Sequence, residues 1–218
     1  MKKLLLLAVV TLHAGLTCSA ALADALGNAP AAAAQFVEIP ATTDTLKQLR
    51  NGGFVLYLRH GKTDNTRGDR VPAVDLDDCT TQRPLTEEGR QMAMRVGEAM
   101  RKAQILLGEI RVSPLCRAKE SAAAAFPKQA NVIDNKLMYT ANLTDAEKAP
   151  IIANTRLLLS TPVAAGSNRL LLAHAPNLMD LIGYFPKEGT VVIFQPKNNG
   201  NFEYIASIPP TLWADLLR

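Results

Sequence analysis

Four side chains of the kinds that bind and transfer anions lie at or just beyond apolar, strand-like runs of the sequence: Arg59, His60, Arg117 and His174. The guanidinium group of arginine offers planar, forked donors that match the oxygens of a phosphoryl group. A neutral histidine can attack phosphorus, and the phosphoramidate that forms can be hydrolysed in a second step. The remaining cations would stabilise the equatorial oxygens of the transition state. These residue types predict a site for phosphoryl chemistry, provided that the fold brings them together.

Arg59 and His60 belong to the stretch from Phe54 to Gly61, so the structure of this stretch determines where they lie. Its five consecutive apolar residues, 54–58, are typical of a strand that is buried on both faces of a parallel sheet. Functional groups in open α/β sheets lie beyond the carboxyl ends of the strands, and Arg59 and His60 follow this strand directly. Gly61 allows the chain to turn away and lets a ligand approach the backbone closely.

Apolar periodicity and capping residues divide the rest of the chain into alternating helices and strands. We predict further strands at 110–112, 132–133, 169–173, 190–194 and 202–208, the last two joined by a hairpin. We predict helices at 43–51, 87–103, 115–126 and 145–159, a helix after Pro176 that Asn177 caps, and a short helix near Thr211. This order favours a three-layer α/β/α sandwich with a mostly parallel central sheet and a late antiparallel component. Such a fold would deliver the four side chains to one edge of the sheet.

The first 23 residues have the pattern of a signal peptide. Two lysines precede an apolar run at 4–16, and Ala21-Leu22-Ala23 forms an A-x-A cleavage site. We therefore expect a signal peptide at 1–23, a flexible alanine-rich leader at 24–41 and a single domain at 42–218. The mature protein would be periplasmic or secreted.

Two alternatives remain for this N-terminus. Cys18 raises the possibility of a lipoprotein, although Gly15-Leu16-Thr17 is a poor match to the small residues that usually precede an acylated cysteine. An uncleaved membrane anchor is the other alternative, but the apolar run is shorter than the roughly 20 residues of a membrane span. Later in the sequence, no stretch is long and apolar enough to span a membrane, so we expect no stable span after cleavage.

Composition excludes some classes of function. The formal net charge of +4 falls by two when the basic start of the signal peptide is removed, and no basic run is interleaved with aromatic residues. We therefore expect no nucleic-acid partner. The sequence contains no C-x-x-C motif, and only two of its three histidines follow the cleavage site, so we also expect no metal site.

Two cysteines would remain after cleavage, Cys79 and Cys116. In the oxidising compartment that an export signal implies, they could form a disulfide. The alternative is two separate buried thiols, since sequence spacing does not give the distance between them. Cys79 lies in a polar segment, 62–84, which is long for a loop in a compact domain and is of the kind that is often functional or mobile.

Four segments resemble, in family order, the signatures of the histidine phosphatase superfamily, also called phosphoglycerate mutase-like: Leu58–Thr63, Pro84–Arg90, Ser113–Ala122 and Leu172–Asn177. The first contains the nucleophile motif R-H-G, and the second resembles the start of the family's next helix. The third and fourth resemble the segments with the second arginine and the second histidine. The resemblance runs from about residue 53 to 194 and implies a phosphoglycerate mutase-like fold that acts on a small phosphorylated substrate without a metal or cofactor.

The resemblance also implies roles for individual residues. His60 would be the phosphorylated nucleophile, and Arg59, Arg117 and His174 would bind the phosphoryl group. Thr63, in the loop after the nucleophile, would add a hydroxyl donor to the substrate site.

The general acid departs from the family pattern. Loss of the leaving group needs a proton from a positioned donor. One branch of the family uses a glutamate where this sequence has Tyr139, and the other uses an aspartate where it has Ala175. The remaining candidates are Asp64 in the nucleophile loop, Asp145 at a predicted helix start and Glu188 before the strand at 190–194. The departure makes a sugar-phosphate mutase a poor match.

Export narrows the class of substrate. The layout is similar to that of exported relatives that include a phosphatase of the lipopolysaccharide core heptose phosphate, so an envelope phosphosugar is one expected substrate, and a scavenged phosphomonoester is the alternative. The main hypothesis is a periplasmic phosphomonoesterase that works through a phosphohistidine at His60. The alternatives are a phosphate-binding module with little or no turnover and a phosphohistidine phosphatase, whose substrate needs little help from an acid.

Overall fold

A six-stranded sheet forms the centre of the structure, a computed structural model that describes residues 35–197 and 199–218. Its strands are β1 (Val55–Arg59), β2 (Leu107–Val112), β3 (Val132–Ile133), β4 (Asn168–Ala173), β5 (Val191–Lys197) and β6 (Asn201–Ile208). They lie in the order β3-β2-β4-β1-β5-β6. The first four are mutually parallel, whereas β5 runs antiparallel to β1 and β6 antiparallel to β5. The predicted mostly parallel sheet with a late antiparallel hairpin is confirmed.

Helices cover both faces of this sheet. They are α1 (Thr43–Asn51), α2 (Glu87–Lys102), α3 (Cys116–Ala125), α4 (Asp145–Ser160), α5 (Ala175–Ile182) and α6 (Trp213–Leu216). Leu56 and Leu58 of β1 pack into one core with α1, α2, α3 and α6, while Val55 and Tyr57 pack into the other with α4 and α5. Because alternate residues of β1 enter two different cores, its residues 55–58 are all apolar and buried. The three-layer α/β/α sandwich is therefore confirmed.

Side-chain caps explain where three of the six helices in the described residues begin, namely α1, α2 and α4. The Thr86 hydroxyl accepts a hydrogen bond from the Gly89 amide at the start of α2, and Thr144 forms a capping box with Glu147 at the start of α4. Asn177 was wrongly predicted as a cap. The chain enters α5 immediately after β4, so His174 takes the capping position, and the Asn177 side chain donates to the Met138 carbonyl instead.

The register of the parallel strands places the carboxyl ends of β1, β2 and β4, where the candidate functional residues lie, at the same edge of the sheet. Arg59 pairs with Ala173 across β1 and β4, and the His60 amide donates to the Ala173 carbonyl at 3.2 Å. The next strand, β2, ends at the same height, because the Ser113 amide donates to the Leu172 carbonyl at 2.9 Å. The antiparallel strand β5 starts at this edge, so the loop before it also reaches the site. This edge of the sheet therefore collects residues from four separate parts of the chain.

The N-terminal segment enters the described structure at residue 35. The Phe36 ring stacks on Tyr184 with ring centroids 4.2 Å apart, and the Ala41 amide donates to the Ser207 carbonyl of β6. Residues 35–41, assigned above to the leader, thus pack on the edge of the sheet. The predicted signal peptide lies outside the described residues. Across 35–197 and 199–218, no helix has the length and apolarity to cross a membrane.

The contact between α2 and α3 gives a first prediction. A Cβ atom at Gly97 of α2 would lie 2.1 Å from the Ala125 carbonyl oxygen of α3. We expect Gly97→Ala to lower the free energy of unfolding by about 1–3 kcal/mol, the usual cost of overpacking. This loss of stability is opposite to the usual effect of the substitution, because alanine normally stabilises a helix by about 1 kcal/mol over glycine.

Urea unfolding followed by circular dichroism measures this change. Gly68→Ala serves as the control, because nothing lies within 4 Å of a Cβ atom built there. A Gly97→Ala protein that is as stable as the parent would contradict the packing described here.

Candidate active site

His60 is placed to act as a nucleophile. Its ring is buried, with 1% of the residue exposed, and Nδ1 lies 2.8 Å from the Gly61 carbonyl oxygen. A carbonyl oxygen can only accept, so Nδ1 carries the proton and Nε2 keeps its lone pair. The Gly61 amide in turn donates to the Ser121 hydroxyl of α3, which fixes the turn that follows β1. The local backbone therefore selects the tautomer that nucleophilic attack requires.

His174 lies beside His60 at the end of β4, with the two ring centroids 5.3 Å apart. Its Nε2 atom is 2.7 Å from the Ser113 hydroxyl. The Tyr57 hydroxyl both donates to the His174 carbonyl and accepts from its amide, at 2.7 and 3.1 Å. These bonds hold the second imidazole rigidly, with Nδ1 buried and unpaired among the described residues.

Burial keeps both imidazoles neutral. It lowers the pKa of His60 well below the ordinary 6.5, and the charges of Arg117, Arg59 and Arg83 lower it further, although the bond to Gly61 works in the opposite direction. Burial and the Arg117 charge lower the pKa of His174 in the same way. A cation in a desolvated site that already holds arginines is strongly disfavoured. His60 is therefore available as a neutral nucleophile.

Two arginines are fixed by carboxylates. Arg117, at the start of α3, is fully buried, and its Nη1 donates to Asp69 Oδ1 at 2.8 Å. Arg59 donates from Nη1 to the Pro186 carbonyl, and its Nη2 lies 3.7 Å from Glu188 Oε1. Each guanidinium therefore has one edge engaged by the protein.

The remaining donors suit an anion. At the site, the buried nitrogens that have no partner among the described residues are Arg59 Nε, Arg83 Nε, Arg117 Nε, Arg117 Nη2 and His174 Nδ1, the last of which is a donor when the Ser113 hydroxyl donates to Nε2. An unsatisfied buried donor costs about 1–3 kcal/mol, so such a group is expected to have a ligand that satisfies it. A phosphoryl group has the charge and the acceptor oxygens for this role. Within the described part of the chain, no three His, Cys, Asp or Glu side chains cluster as metal ligands would.

The structure separates the candidates for the general acid. Glu188 lies at the site, where its Oε1 accepts from the Thr63 amide at 3.1 Å and from the Thr63 hydroxyl at 2.8 Å. Thr63 was expected to donate to the substrate, and its hydroxyl donates to Glu188 instead. Asp64 accepts from the amide and hydroxyl of Thr66 in an exposed part of its loop. Asp145 is exposed in the first turn of α4.

Tyr139, which the sequence resemblance matches to the acidic residue of part of the family, lies beside His174. Its ring stands edge-on to His174, with centroids 5.6 Å apart, and Arg117 Cζ lies 5.1 Å from the ring centroid. The residues on each side are tied to α5, because the Asn177 side chain donates to the Met138 carbonyl and the Thr140 hydroxyl donates to Asp180. A phenol ring therefore stands beside the second of the two histidines.

Sequence reasoning missed three residues of the site: Asp69, Arg83 and Ser113. Asp69 and Arg83 lie in the long loop at 62–84, where no periodicity indicates which side chains point inward. Ser113 could have been found, because it follows β2 directly, as His60 follows β1.

A disulfide anchors this loop beside the site. Cys79 and Cys116 are bonded, with their Cα atoms 5.7 Å apart. Cys116 is adjacent to Arg117, and its amide donates to the buried Gln82 side chain at 2.7 Å. The bond spans 37 residues, for which the chain-entropy model gives roughly 4 kcal/mol of stabilisation.

The burial of the two imidazoles gives a second prediction. We expect neither His60 nor His174 to gain a proton as the pH falls through 6.5, because the folded pKa of each lies well below that ordinary value. The unfolded chain does gain protons below about pH 6.5, so the stability that the two rings contribute is present above that pH and is lost as the pH falls. A proton NMR titration of the imidazoles measures this directly, and a ring that titrates near 6.5 would contradict it.

Comparison with known proteins agrees with this geometry. A sequence model described as histidine phosphatase superfamily (branch 1) matches residues 55–143. No curated protein sequence matches the chain. Residues 55–143 include β1, the His60 that follows it, the loop at 62–84 and the start of α3 with Arg117.

Solved structures resemble the chain in fold. Mycobacterial glucosyl-3-phosphoglycerate phosphatase is 17% identical over 71% of this chain and 98% of that chain, with a TM-score of 0.52. Phosphoserine phosphatase from Entamoeba histolytica is 14% identical over 72% and 96%, with a TM-score of 0.51. The protein histidine phosphatase SixA with tungstate is 16% identical over 72% and 97%, with a TM-score of 0.50. The family model thus matches the part of the chain that carries His60 and Arg117, and the solved phosphatases share the fold of this chain.

Proposed function

We propose that this protein is an exported phosphomonoesterase that works through a phosphohistidine formed on His60. The observation that carries the proposal is the buried neutral ring of His60, with Nδ1 bonded to the Gly61 carbonyl and Nε2 left free beside the unpaired donors of Arg59, Arg117 and His174. A nucleophile next to a preorganised oxyanion site is the arrangement that phosphoryl transfer requires.

In the first step, Nε2 of His60 attacks phosphorus as the bond from phosphorus to the leaving oxygen breaks. Arg59, Arg117 and Nδ1 of His174 hold the non-bridging oxygens and stabilise the negative charge on them. The leaving oxygen keeps the electron pair of the broken bond and takes up a proton from solvent water.

In the second step, a water molecule attacks the phosphorus of the phosphohistidine. The bond between phosphorus and Nε2 breaks, and its electron pair returns to His60. One proton of the water passes to solvent, and inorganic phosphate leaves. The hydrogen bond from Nδ1 to Gly61 keeps the ring oriented throughout both steps.

Two features support an exported enzyme. The N-terminal sequence has the pattern of a cleaved signal peptide. The disulfide between Cys79 and Cys116 suits an oxidising compartment. We propose a phosphosugar of the envelope as the substrate, by analogy with the exported relatives that act on lipopolysaccharide core heptose phosphate.

Covalent trapping tests the proposed mechanism. A phosphoramidate is hydrolysed in acid, so the quench and the analysis are carried out at alkaline pH. Under these conditions we expect labelled phosphate from an aryl phosphate to be retained on His60. Turnover should persist in excess chelator, and it should fall by at least 10³-fold in His60→Ala, because no other described side chain replaces the lost nucleophile.

Asp145→Asn is the control variant, since this exposed carboxylate lies in the first turn of α4, and its activity should equal that of the parent. Turnover in His60→Ala at the parental rate would contradict the mechanism. Phosphate binding without any covalent adduct would instead identify a binding module.

A second candidate function is hydrolysis of a phosphoramidate such as phosphohistidine. Tyr139 stands where part of the family has a glutamate, and Glu188 accepts two hydrogen bonds on Oε1 and faces Arg59. Because this oxygen already accepts two hydrogen bonds from Thr63, it is not positioned as a proton donor to a leaving group. A substrate with a good leaving group would need no such donor.

A series of phosphomonoesters tests this feature. We expect kcat/KM to fall steeply as the pKa of the leaving group rises, because the site has no carboxylic acid ready to protonate it. Glu188→Gln should leave that slope unchanged. If the parent shows a shallow slope and Glu188→Gln shows a steep one, Glu188 is the general acid, and the preference for good leaving groups is refuted.

A further inference from the structure

The charges of the two arginines that the family motifs identify are already compensated. Arg117 pairs with Asp69, and Arg59 lies 3.7 Å from Glu188. Both histidines are neutral, because burial lowers the pKa of each. These groups alone would give the pocket donors for an anion but no excess of positive charge.

Arg83 changes this balance. It forms no ion pair with any described residue, and its Nε is buried without a partner. Its guanidinium lies 5.9 Å from the centroid of the Tyr139 ring, the same ring that Arg117 approaches to 5.1 Å. One uncompensated cation is therefore present beside the phosphoryl-binding donors.

The backbone around Arg83 is held firmly. Its amide donates to Asp69 Oδ1 at 2.8 Å, the same oxygen that accepts from Arg117. On one side, the Gln82 side chain accepts a hydrogen bond from the Cys116 amide, and a disulfide joins Cys116 to Cys79 of the loop. On the other side, the Pro84 carbonyl accepts from the Asp64 amide. The loop therefore presents Arg83 in a fixed location, which reduces the entropy lost when it engages a ligand.

We propose that Arg83 is a third phosphoryl-binding guanidinium, and that its uncompensated charge gives the pocket the net positive charge that attracts a phosphoryl anion. The inference rests on the proposed function, because it assigns the same pocket to a phosphoryl group, and it adds a residue that binds this group. A phosphomonoester is a dianion above its second pKa of about 6. One of its negative charges would be matched by Arg83, whereas a neutral ligand would leave the charge of Arg83 unmatched.

Calorimetric titration of the full chain with inorganic phosphate tests the proposal without turnover. At pH 7.5 and low ionic strength, we expect Arg83→Gln to weaken phosphate binding at least tenfold, as expected for a lost hydrogen bond between charged groups. Arg83→Lys should recover part of the affinity, because it keeps the charge. Arg67→Gln is the matched control, since Arg67 is exposed in the same loop and its guanidinium donates to the Thr80 carbonyl; its affinity should stay within twofold of the parent.

A second measurement uses the parent protein, so it does not depend on how the variants fold. Phosphate should slow the modification of Arg83 by phenylglyoxal, mapped by mass spectrometry, and should leave Arg67 unprotected. The proposal is overturned if Arg83→Gln binds phosphate within twofold of the parent, or if phosphate leaves Arg83 unprotected. If phosphate binding depends on Arg83 but no phosphohistidine forms, the enzyme mechanism is refuted and the assignment of Arg83 stands.

Discussion

The parallel pairing of β1 with β4 is the interaction on which the site depends. Because Arg59 pairs with Ala173, the next residues of the two strands, His60 and His174, stand side by side. A slip of one residue along either strand would turn one of these rings to the opposite face of the sheet. Two cores, one on each side of β1, exclude such a slip, since its alternate residues are buried in both.

Burial then sets the chemistry at this strand end. The desolvated imidazoles remain neutral, so the positive charge of the pocket resides on arginines. Carboxylates hold two of those arginines in place and offset their charge, whereas Arg83 keeps its own. A phosphoryl dianion would bring acceptors to the unpaired donors and negative charge to Arg83. The same carboxylates are engaged as hydrogen-bond acceptors, which explains why the structure offers no ready proton for a leaving group.

The sequence predicted the elements with strong periodicity and the residues that end them. Buried strands, the threonine caps of α2 and α4 and the functional strand ends could all be located, since each depends on local pattern. Arg83 could not be located, because its place depends on tertiary bonds across a loop without periodicity. Asn177 was misassigned as a cap for a similar reason, since its amide is used in a contact with a distant segment. Glu188 was one of three candidates until the antiparallel pairing of β5 brought its loop to the site.

A crystal structure with orthovanadate would test the central claim most directly. Vanadate adopts the five-coordinate geometry of phosphoryl transfer, so its position reports the nucleophile and the oxyanion donors together. The present account predicts vanadium bonded to Nε2 of His60, with the equatorial oxygens within hydrogen-bonding distance of Arg59, Arg117 and Nδ1 of His174. Vanadate bound elsewhere in the molecule, or a His60 ring turned so that Nε2 meets the Gly61 carbonyl, would contradict it.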